Sequence, residues 1–228
     1  MRYEFMKPEM YMRILQAVAT GCTRLNDIAT RIHAKTTELP PYIDNLMDVD
    51  FIFKEYPVTE TPRSKKSRYY LKDNFMKFWF RFIFPNLSRI EQGIFDTSSI
   101  QALYPEYLGH VFEDAVRQFI IKTRQFPFTM IGRWWWRDVE IDLVAHDDPS
   151  GTTTFIECKW NDGVDPVPVI EALEEKAKLV QLPQAKKVFM IFARSYSRIL
   201  SSWKEIPVHC IDVAFMEREI KNWLKNNA

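Results

Sequence analysis

The chain has 228 residues, of which 46% are hydrophobic and 27% are charged, and its formal net charge is +1. This length favours two compact domains, and the near-neutral charge excludes a globally polycationic nucleic-acid binder, so any basic surface must be local. The cysteines Cys22, Cys158 and Cys210 stand alone in the sequence, which excludes a Cys-x-x-Cys metal site and favours a reducing cytoplasm.

Residues 1–73 are predicted to form a winged helix-turn-helix domain. Apolar residues at helical spacing and then two strand-like runs mark three helices over 9–21, 23–33 and 35–51 and two strands over 51–58 and 69–73. Gly21 is expected to end the first helix, and Thr37 or a neighbour to cap the third, whose first turn holds Pro40 and Pro41. Three helices followed by strand, loop and strand is the element order of a winged helix.

The loop of this domain is basic, and two functions fit it. Four cations of the predicted wing are candidates for contacts with DNA phosphates, namely Arg63, Lys65, Lys66 and Arg68. The third helix, however, carries carboxylates that repel a phosphate backbone, namely Glu38, Asp44, Asp48 and Asp50. DNA binding and docking to a protein partner therefore both remain open for this domain.

Residues 74–104 are predicted to be an aromatic connecting helix. Six aromatic side chains between Phe75 and Phe84 are too many for a solvated linker, so the two domains are expected to pack together. Lys77 and Arg81 interrupt this run, which is shorter than the roughly 20 residues of a membrane helix. With no signal peptide visible either, no membrane association is expected.

Residues 105–228 are predicted to form a second domain, an α/β or α+β architecture with a mixed sheet flanked by helices. The patterns predict a helix, three strands, a helix, two strands and a C-terminal helix, with the first seven over 105–122, 128–136, 138–146, 152–160, 167–181, 186–193 and 207–213.

Charged residues interrupt two of these otherwise apolar strands. Glu157 and Lys159 fall on one face of the strand over 152–160, because side chains alternate with period two along a strand. Glu-x-Lys also occurs at Glu174 and Glu219, but in helical patterns, where positions two apart do not share a face. The strand context therefore distinguishes Glu157 and Lys159 from chance occurrences.

These residue types suit the hydrolysis of a phosphodiester. Asp142, on the preceding strand, and Glu157 can hold a hard cation such as Mg²⁺, which prefers oxygen ligands. Lys159 beside the cation can orient or deprotonate a water and offset the negative charge that develops on phosphorus. Glu113, from the preceding helix, is a candidate third ligand, and Glu140 is an auxiliary candidate.

The segments EIDLVA and FIECKW, with GHVFED before them and VIEALEEKAKLV after them, resemble the PD-(D/E)XK nuclease superfamily and its restriction-endonuclease-like fold. With the winged-helix pattern and the junction YYLKDNFMKFWFRFIFPN, nearly the full chain is similar to the C-terminal part of archaeal and bacterial ATPases catalogued as domain of unknown function 234. The resemblance implies a DNA nuclease dependent on Mg²⁺ or Mn²⁺. It places the metal ligands at Glu113, Asp142 and Glu157 and the catalytic lysine at Lys159.

The same resemblance leaves a second function open. The chain has no Gly-x-x-x-x-Gly-Lys-Ser/Thr loop, so an ATPase partner would lie upstream in the same chain or act in trans. The alternative to a nuclease is then a non-catalytic regulatory or docking module of an AAA+-type ATPase. A nuclease that cuts both strands would suggest a homodimer.

Three further features are interpreted conservatively. The tryptophans Trp134, Trp135 and Trp136 are expected to pack rather than to stack on unpaired bases. Lys176 is expected to be solvated rather than to join the site. Arg133 fits phosphate binding and pairing with local acids equally well.

Overall fold

The computed structural model describes residues 7–183 and 185–227. These residues divide into two compact units. The first comprises residues 7–56 and 64–103, and the second comprises residues 57–63, 104–183 and 185–227. None of the described helices is both long enough and apolar enough to cross a lipid bilayer.

The first unit begins with three helices and an antiparallel strand pair, which are α1 (Pro8–Ala19), α2 (Leu25–Ile32), α3 (Pro40–Asp48), β1 (Ile52–Glu55) and β2 (Arg68–Leu71). Each helix buries one apolar stripe, and the strands add further apolar side chains, so that a single core includes Ile14, Ile28, Leu39, Ile43, Leu46, Ile52 and Leu71. The three helices predicted from the spacing of apolar residues are therefore present, and each is shorter than predicted.

The start of the third helix differs from the expectation. Thr37 does not cap it but lies in a 3₁₀ turn, Thr36–Glu38, and Leu39 precedes the helix without a side-chain cap. Pro40 and Pro41 occupy the first turn, where a helix has no intrahelical partners for its amides. The missing proline N–H groups therefore leave no hydrogen bond broken.

The aromatic segment is not one connecting helix. It consists of short pieces, namely α4 (Asn74–Phe78), a π-helical turn (Trp79–Ile83), a 3₁₀ turn (Phe84–Asn86), α5 (Leu87–Glu91) and α6 (Ser98–Gln101). Pro85 has no amide hydrogen, so a regular helix cannot continue through it. Phe80 is buried in the core of the first unit, and Trp79 and Phe84 pack against that core. Residues 74–103 therefore belong to the first unit.

The predicted basic wing is divided in the structure. Residues 57–63 belong to the second unit, where the Val58 amide donates a hydrogen bond to the Arg133 carbonyl at 2.8 Å. Lys65 and Lys66 are exposed in the β1–β2 loop. Arg68 is not on this loop; it is half-buried within β2, opposite Glu55.

The second unit is an α+β structure with a mixed sheet. Its elements, in chain order, are α7 (Tyr104–Thr123), β3 (Met130–Trp136), β4 (Val139–Asp147), β5 (Thr152–Lys159), α8 (Pro166–Ala177), β6 (Lys186–Ala193), β7 (Ser202–Trp203), β8 (Ile206–Asp212) and α9 (Val213–Asn227). Among the described residues, the strands run in the order β3-β4-β5-β6-β8-β7. The pairs β3–β4, β4–β5 and β7–β8 are antiparallel, whereas β5–β6 and β6–β8 are parallel.

Helices cover both faces of this sheet and create two cores. Helices α7 and α9 cover one face, in a core that includes Phe112, Val116, Met216, Ile156, Cys158 and Phe192. Helix α8 covers the other, in a core that includes Ile170, Leu173, Phe155, Phe189 and Ile191. Successive residues of β5 therefore enter opposite cores, as a period of two requires. This alternation places Glu157 and Lys159 on the α8 face.

Removing buried volume should destabilise the second unit much more than the same change at its surface. Ile191 is 0% exposed in the α8 core, whereas Ile199 is 69% exposed. We expect Ile191→Ala to lower the free energy of unfolding by about 2–5 kcal/mol. Ile199→Ala, the matched control, should change it by no more than about 0.5 kcal/mol. Urea unfolding measures both, and equal effects would contradict this assignment of the core.

Candidate functional site

A β-bulge in β4 positions the first of the predicted site residues. Gly132 pairs with Val144 and Trp134 pairs with Ile141, so Arg133 alone faces both Asp142 and Leu143. Because of this extra residue, Ile141 lies in the α8 core while Leu143, two positions later, lies in the α7 core. Bulges re-aim side chains in this way, and here the re-aimed side chain belongs to Asp142.

Asp142 and Glu157 meet where the pairing of β4 with β5 stops. Leu143–Ile156 is the last pair of that ladder, and continuing its register would place Asp142 opposite Glu157. At this point the Cys158 amide donates a hydrogen bond of 2.7 Å to Asp142 Oδ2. The side chain of Asp142 thus accepts a backbone hydrogen bond just beyond the end of the ladder.

The Glu157 carboxylate is buried and is contacted by two ammonium groups. Its side chain is 7% exposed. Lys159 Nζ donates to Oε1 at 2.9 Å, and Lys176 Nζ lies 3.1 Å from Oε1 and 3.3 Å from Oε2. Buried charges are tolerated when they are paired and hydrogen-bonded, which these contacts accomplish.

The prediction that Lys176 is solvated is wrong. Lys176 lies in the last turn of α8, and its ammonium group reaches the buried carboxylate of Glu157. The sequence held one usable signal, because Lys176 follows Leu173 by three residues, and Leu173 is buried against the sheet. A residue three positions along a helix shares that inward face, so Lys176 points to the sheet.

Glu113, on α7, is held by Arg133 and His110. Arg133 donates to Glu113 Oε2 at 3.1 Å and also to Asp114 at 3.1 Å, and His110 Nδ1 lies 3.4 Å from Glu113 Oε1. Burial acts to raise the pKa of Glu113, but the hydrogen bond from His110 and the Arg133 charge outweigh it, so the pKa is lowered. The same hydrogen bond raises the pKa of His110. Arg133 thus pairs with acids, one of its two predicted roles.

The three predicted acids act on one another electrostatically. Burial, followed by the charges of Glu157 and Glu113, raises the pKa of Asp142 to about 8. Burial acts to lower the pKa of Lys159, but the adjacent Glu157 outweighs it and raises that pKa. The charges of Glu157, Glu113 and Lys159 therefore all act on Asp142.

This donor set has the chemistry to hold a hard divalent cation. Carboxylate oxygens are the preferred ligands of Mg²⁺. Burial and the neighbouring acids both disfavour the charged form of Asp142, and a bound cation would favour it. Among residues 7–183 and 185–227, however, no group of three or more His, Cys, Asp or Glu side chains is gathered closely enough to hold a metal ion. Glu113 and Glu157 are engaged with cationic side chains instead, so binding requires an exchange of partners.

The remaining predicted residues lie around this neighbourhood or away from it. Trp134 and Trp135 are buried, in agreement with the packing interpretation, whereas Trp136 is exposed. Glu140 is exposed and pairs in register with Trp135. The predicted DNA-contacting cations Lys65, Lys66 and Arg68 belong to the first unit, and Arg63 ends the segment 57–63 of the second.

Comparisons with known proteins agree with part of the resemblance. The architecture is that of an α+β protein with a mixed sheet. A DUF234 domain is found over residues 79–180, in a family described as archaea bacterial proteins of unknown function. A curated protein of Methanocaldococcus jannaschii, Uncharacterized protein MJECL04, is 44% identical over 201 residues, which cover 85% of this chain and 46% of that protein. The chain thus spans about half the length of this curated relative.

Two solved structures are similar at low TM-scores. The crystal structure of the transcriptional regulator SlyA has a TM-score of 0.27 and 18% identity, covering 49% of this chain and 72% of that chain. Protein VC1899 from Vibrio cholerae has a TM-score of 0.28 and 12% identity, covering 97% of this chain and 58% of that chain. Neither score assigns a fold to this protein.

Neutralising Asp142 should change how stability depends on pH. The carboxyl binds its proton more tightly in the folded chain, where its pKa is about 8, than at its ordinary value of 3.8. The wild type therefore loses stability as pH rises between these values, and Asp142→Asn should escape this loss while keeping an acceptor for the Cys158 amide.

Urea unfolding in a chelator at about pH 5 and about pH 8 measures the effect. The stability of Asp142→Asn relative to the wild type should increase with pH. Asp162→Asn, which removes an exposed carboxylate that pairs with Arg194, is the control and should not show this increase. A pH-independent difference between Asp142→Asn and the wild type would contradict the raised pKa.

Proposed function

We propose that this chain contains a divalent-metal-dependent nuclease domain that hydrolyses the phosphodiester bonds of DNA. In this proposal the second unit has a restriction-endonuclease-like fold and the first contains a winged helix. The observation that carries it is the meeting of Asp142 and Glu157 at the end of the β4–β5 ladder, with Lys159 Nζ 2.9 Å from Glu157. The raised pKa of Asp142 supports it, because Glu157 and Glu113 contribute to that rise.

In the proposed site, Asp142, Glu157 and Glu113 would hold Mg²⁺ or Mn²⁺. When bound, such a cation supplies positive charge that polarises the phosphodiester and lowers the pKa of water. The protein contributes a fixed arrangement around it. The Cys158 amide orients Asp142, and Arg133 with His110 orients Glu113.

Lys159 is proposed to act as an ammonium donor rather than as a base. Its pKa is raised by Glu157, so it stays protonated at neutral pH. A protonated amine donates hydrogen bonds and has no lone pair with which to remove a proton. Lys159 would therefore orient the attacking water and offset the charge that develops on phosphorus.

The first unit is proposed to place the nuclease domain on a duplex. Its α1–α3 and β1–β2 elements follow the order of a winged helix. Lys65 and Lys66 are exposed in the β1–β2 loop, where phosphates can approach them, and Arg63 is exposed as well. In cleavage of both strands, two copies of the chain would act as a homodimer.

A second candidate function is a non-catalytic regulatory or docking module of an ATPase. Two observations favour it. Glu113 is engaged by Arg133, Glu157 is engaged by Lys159 and Lys176, and no group of metal-ligating side chains is assembled among the described residues. The chain also corresponds to about half of its Methanocaldococcus jannaschii relative, which leaves room in such a protein for another domain.

Cleavage assays with matched variants test the nuclease. We expect Glu157→Gln and Lys159→Met to slow the nicking of plasmid DNA with Mg²⁺ or Mn²⁺ by about 100-fold or more, because the first removes a charged ligand of the cation and the second removes the ammonium beside the reacting phosphate. Glu175→Gln changes an exposed carboxylate of α8 that pairs with Lys178 and should cleave at the wild-type rate.

Equal rates in all variants would place the activity in a contaminant or another site. Absence of cleavage by the wild type on any DNA would favour the docking module. Calorimetry with Mn²⁺ gives a readout independent of activity, because Asp142→Ala should abolish binding that the wild type shows.

The salt dependence of DNA binding tests the wing. Each lysine that contacts a phosphate contributes about one unit to the slope of log affinity against log salt, so Lys65→Ala combined with Lys66→Ala should reduce that slope by about two. Lys225→Ala, which removes an exposed cation of α9, is the control. If the slope of the Lys65→Ala and Lys66→Ala double variant equals that of the wild type, as the slope of Lys225→Ala should, DNA does not contact this loop.

A further inference from the structure

The ammonium group of Lys176 contacts the Glu157 carboxylate as a bound cation would. Its ammonium lies 3.1 Å from Oε1 and 3.3 Å from Oε2, so it spans both oxygens. Lys159 contacts Oε1 alone, at 2.9 Å. Oε1 already accepts from both ammonium groups, so a divalent cation that binds this oxygen replaces one of them. A cation that binds Oε2 instead lies beside the Lys176 ammonium, which repels it.

We propose that Lys176 is a built-in counter-ion, which holds the Glu157 carboxylate until a divalent cation displaces it. The inference rests on the proposed function, in which Glu157 is a metal ligand. The carboxylate is 7% exposed and needs a positive partner at all times, because an uncompensated buried charge is strongly destabilising. Lys159 supplies one such partner in both states. Lys176 supplies the second in the metal-free protein, and the cation supplies it in the loaded protein.

Lys176 rather than Lys159 is the displaced group because of where each is anchored. Lys159 lies two residues from Glu157 on the same face of β5, and the strand keeps the two adjacent whatever occupies the carboxylate. Lys176 reaches the carboxylate from a different element, the last turn of α8, on a long side chain. Rotation of that side chain can carry its ammonium into water without moving the backbone.

The exchange has a measurable consequence for metal affinity. In the wild type, binding a cation costs the Lys176–Glu157 hydrogen bonds and brings two positive groups close together. A variant without the Lys176 charge loses no such hydrogen bonds and brings no second positive charge close to the cation. Its Glu157 retains Lys159 as a partner, so the buried carboxylate is not left alone.

Calorimetry with Mn²⁺ on the full chain tests the proposal. Lys176→Met should bind Mn²⁺ about tenfold more tightly than the wild type, since a positive charge a few ångströms from the cation is removed. Lys176→Arg keeps the charge and should bind no more tightly than the wild type. Lys178→Met, two residues along the chain, removes an exposed lysine that pairs with Glu175 and should match the wild type.

Equal or weaker Mn²⁺ binding by Lys176→Met would overturn the proposal. If the wild type binds Mn²⁺, Asp142→Ala does not and Lys176→Met is unchanged, then only this inference fails and the proposed function stands. If neither the wild type nor Lys176→Met binds Mn²⁺, both fail together.

Lysine acylation of the wild type supplies a second test that does not depend on the folding of any variant. Acylation followed by mass spectrometry compares the rate at Lys176 with and without Mg²⁺. Displacement should increase the rate at Lys176 several-fold and leave the rate at Lys178 unchanged. A Lys176 rate that Mg²⁺ does not alter would overturn the proposal.

Discussion

The need to neutralise one buried carboxylate constrains the second unit more than any other feature described. Glu157 lies on β5 between Ile156 and Cys158, both of which enter the apolar core under α7, while its own side chain faces α8. A charge in such a strand is tolerated only beside positive partners. The strand supplies one, Lys159, and the helix above it supplies another, Lys176. The docking of α8 on the sheet and the charge on β5 are therefore coupled.

A second constraint acts at the neighbouring strand. Burial, followed by the charges of Glu157 and Glu113, raises the pKa of Asp142, which accepts a hydrogen bond from the Cys158 amide at the end of the β4–β5 ladder. The bulge in β4 makes this arrangement possible, because it separates the faces occupied by Ile141 and Leu143. Ionisation of Asp142 is thus disfavoured in the metal-free protein. Strongly shifted pKa values cluster at functional sites, and they also occur in structural ion-pair networks.

Much of the fold could be predicted from periodicity, and the exceptions have identifiable causes. The strands β3, β4, β5, β6 and β8 and the helices α7, α8 and α9 follow the predicted order, because long amphipathic or apolar runs leave little ambiguity. The two-residue strand β7 has no periodicity to detect. The single helix expected over 74–104 breaks into short pieces, because Pro85 and the packing of Phe80 prevail over an unbroken aromatic pattern.

The candidate site was predictable in composition but not in its internal contacts. Alternation along β5 indicates that Glu157 and Lys159 share a face, and the structure has them there. The bulge at Asp142 is only weakly marked in the sequence, because the apolar run over residues 143–145 breaks the alternation without showing which residue is inserted. The contact from Lys176 depends on how α8 lies across the sheet, which is a tertiary property that one helix cannot encode.

The route of the chain through the sheet has a consequence for the order of assembly. The strands β3, β4 and β5 are consecutive and antiparallel, so their contacts are local and are expected to form early. β6 joins β5 in parallel only after the crossover through α8, and closing this longer loop carries a larger entropic cost. Glu157 therefore meets Lys159 first and Lys176 later. A partly folded chain, with α8 not yet docked, would present its acids with one ammonium fewer than the mature protein.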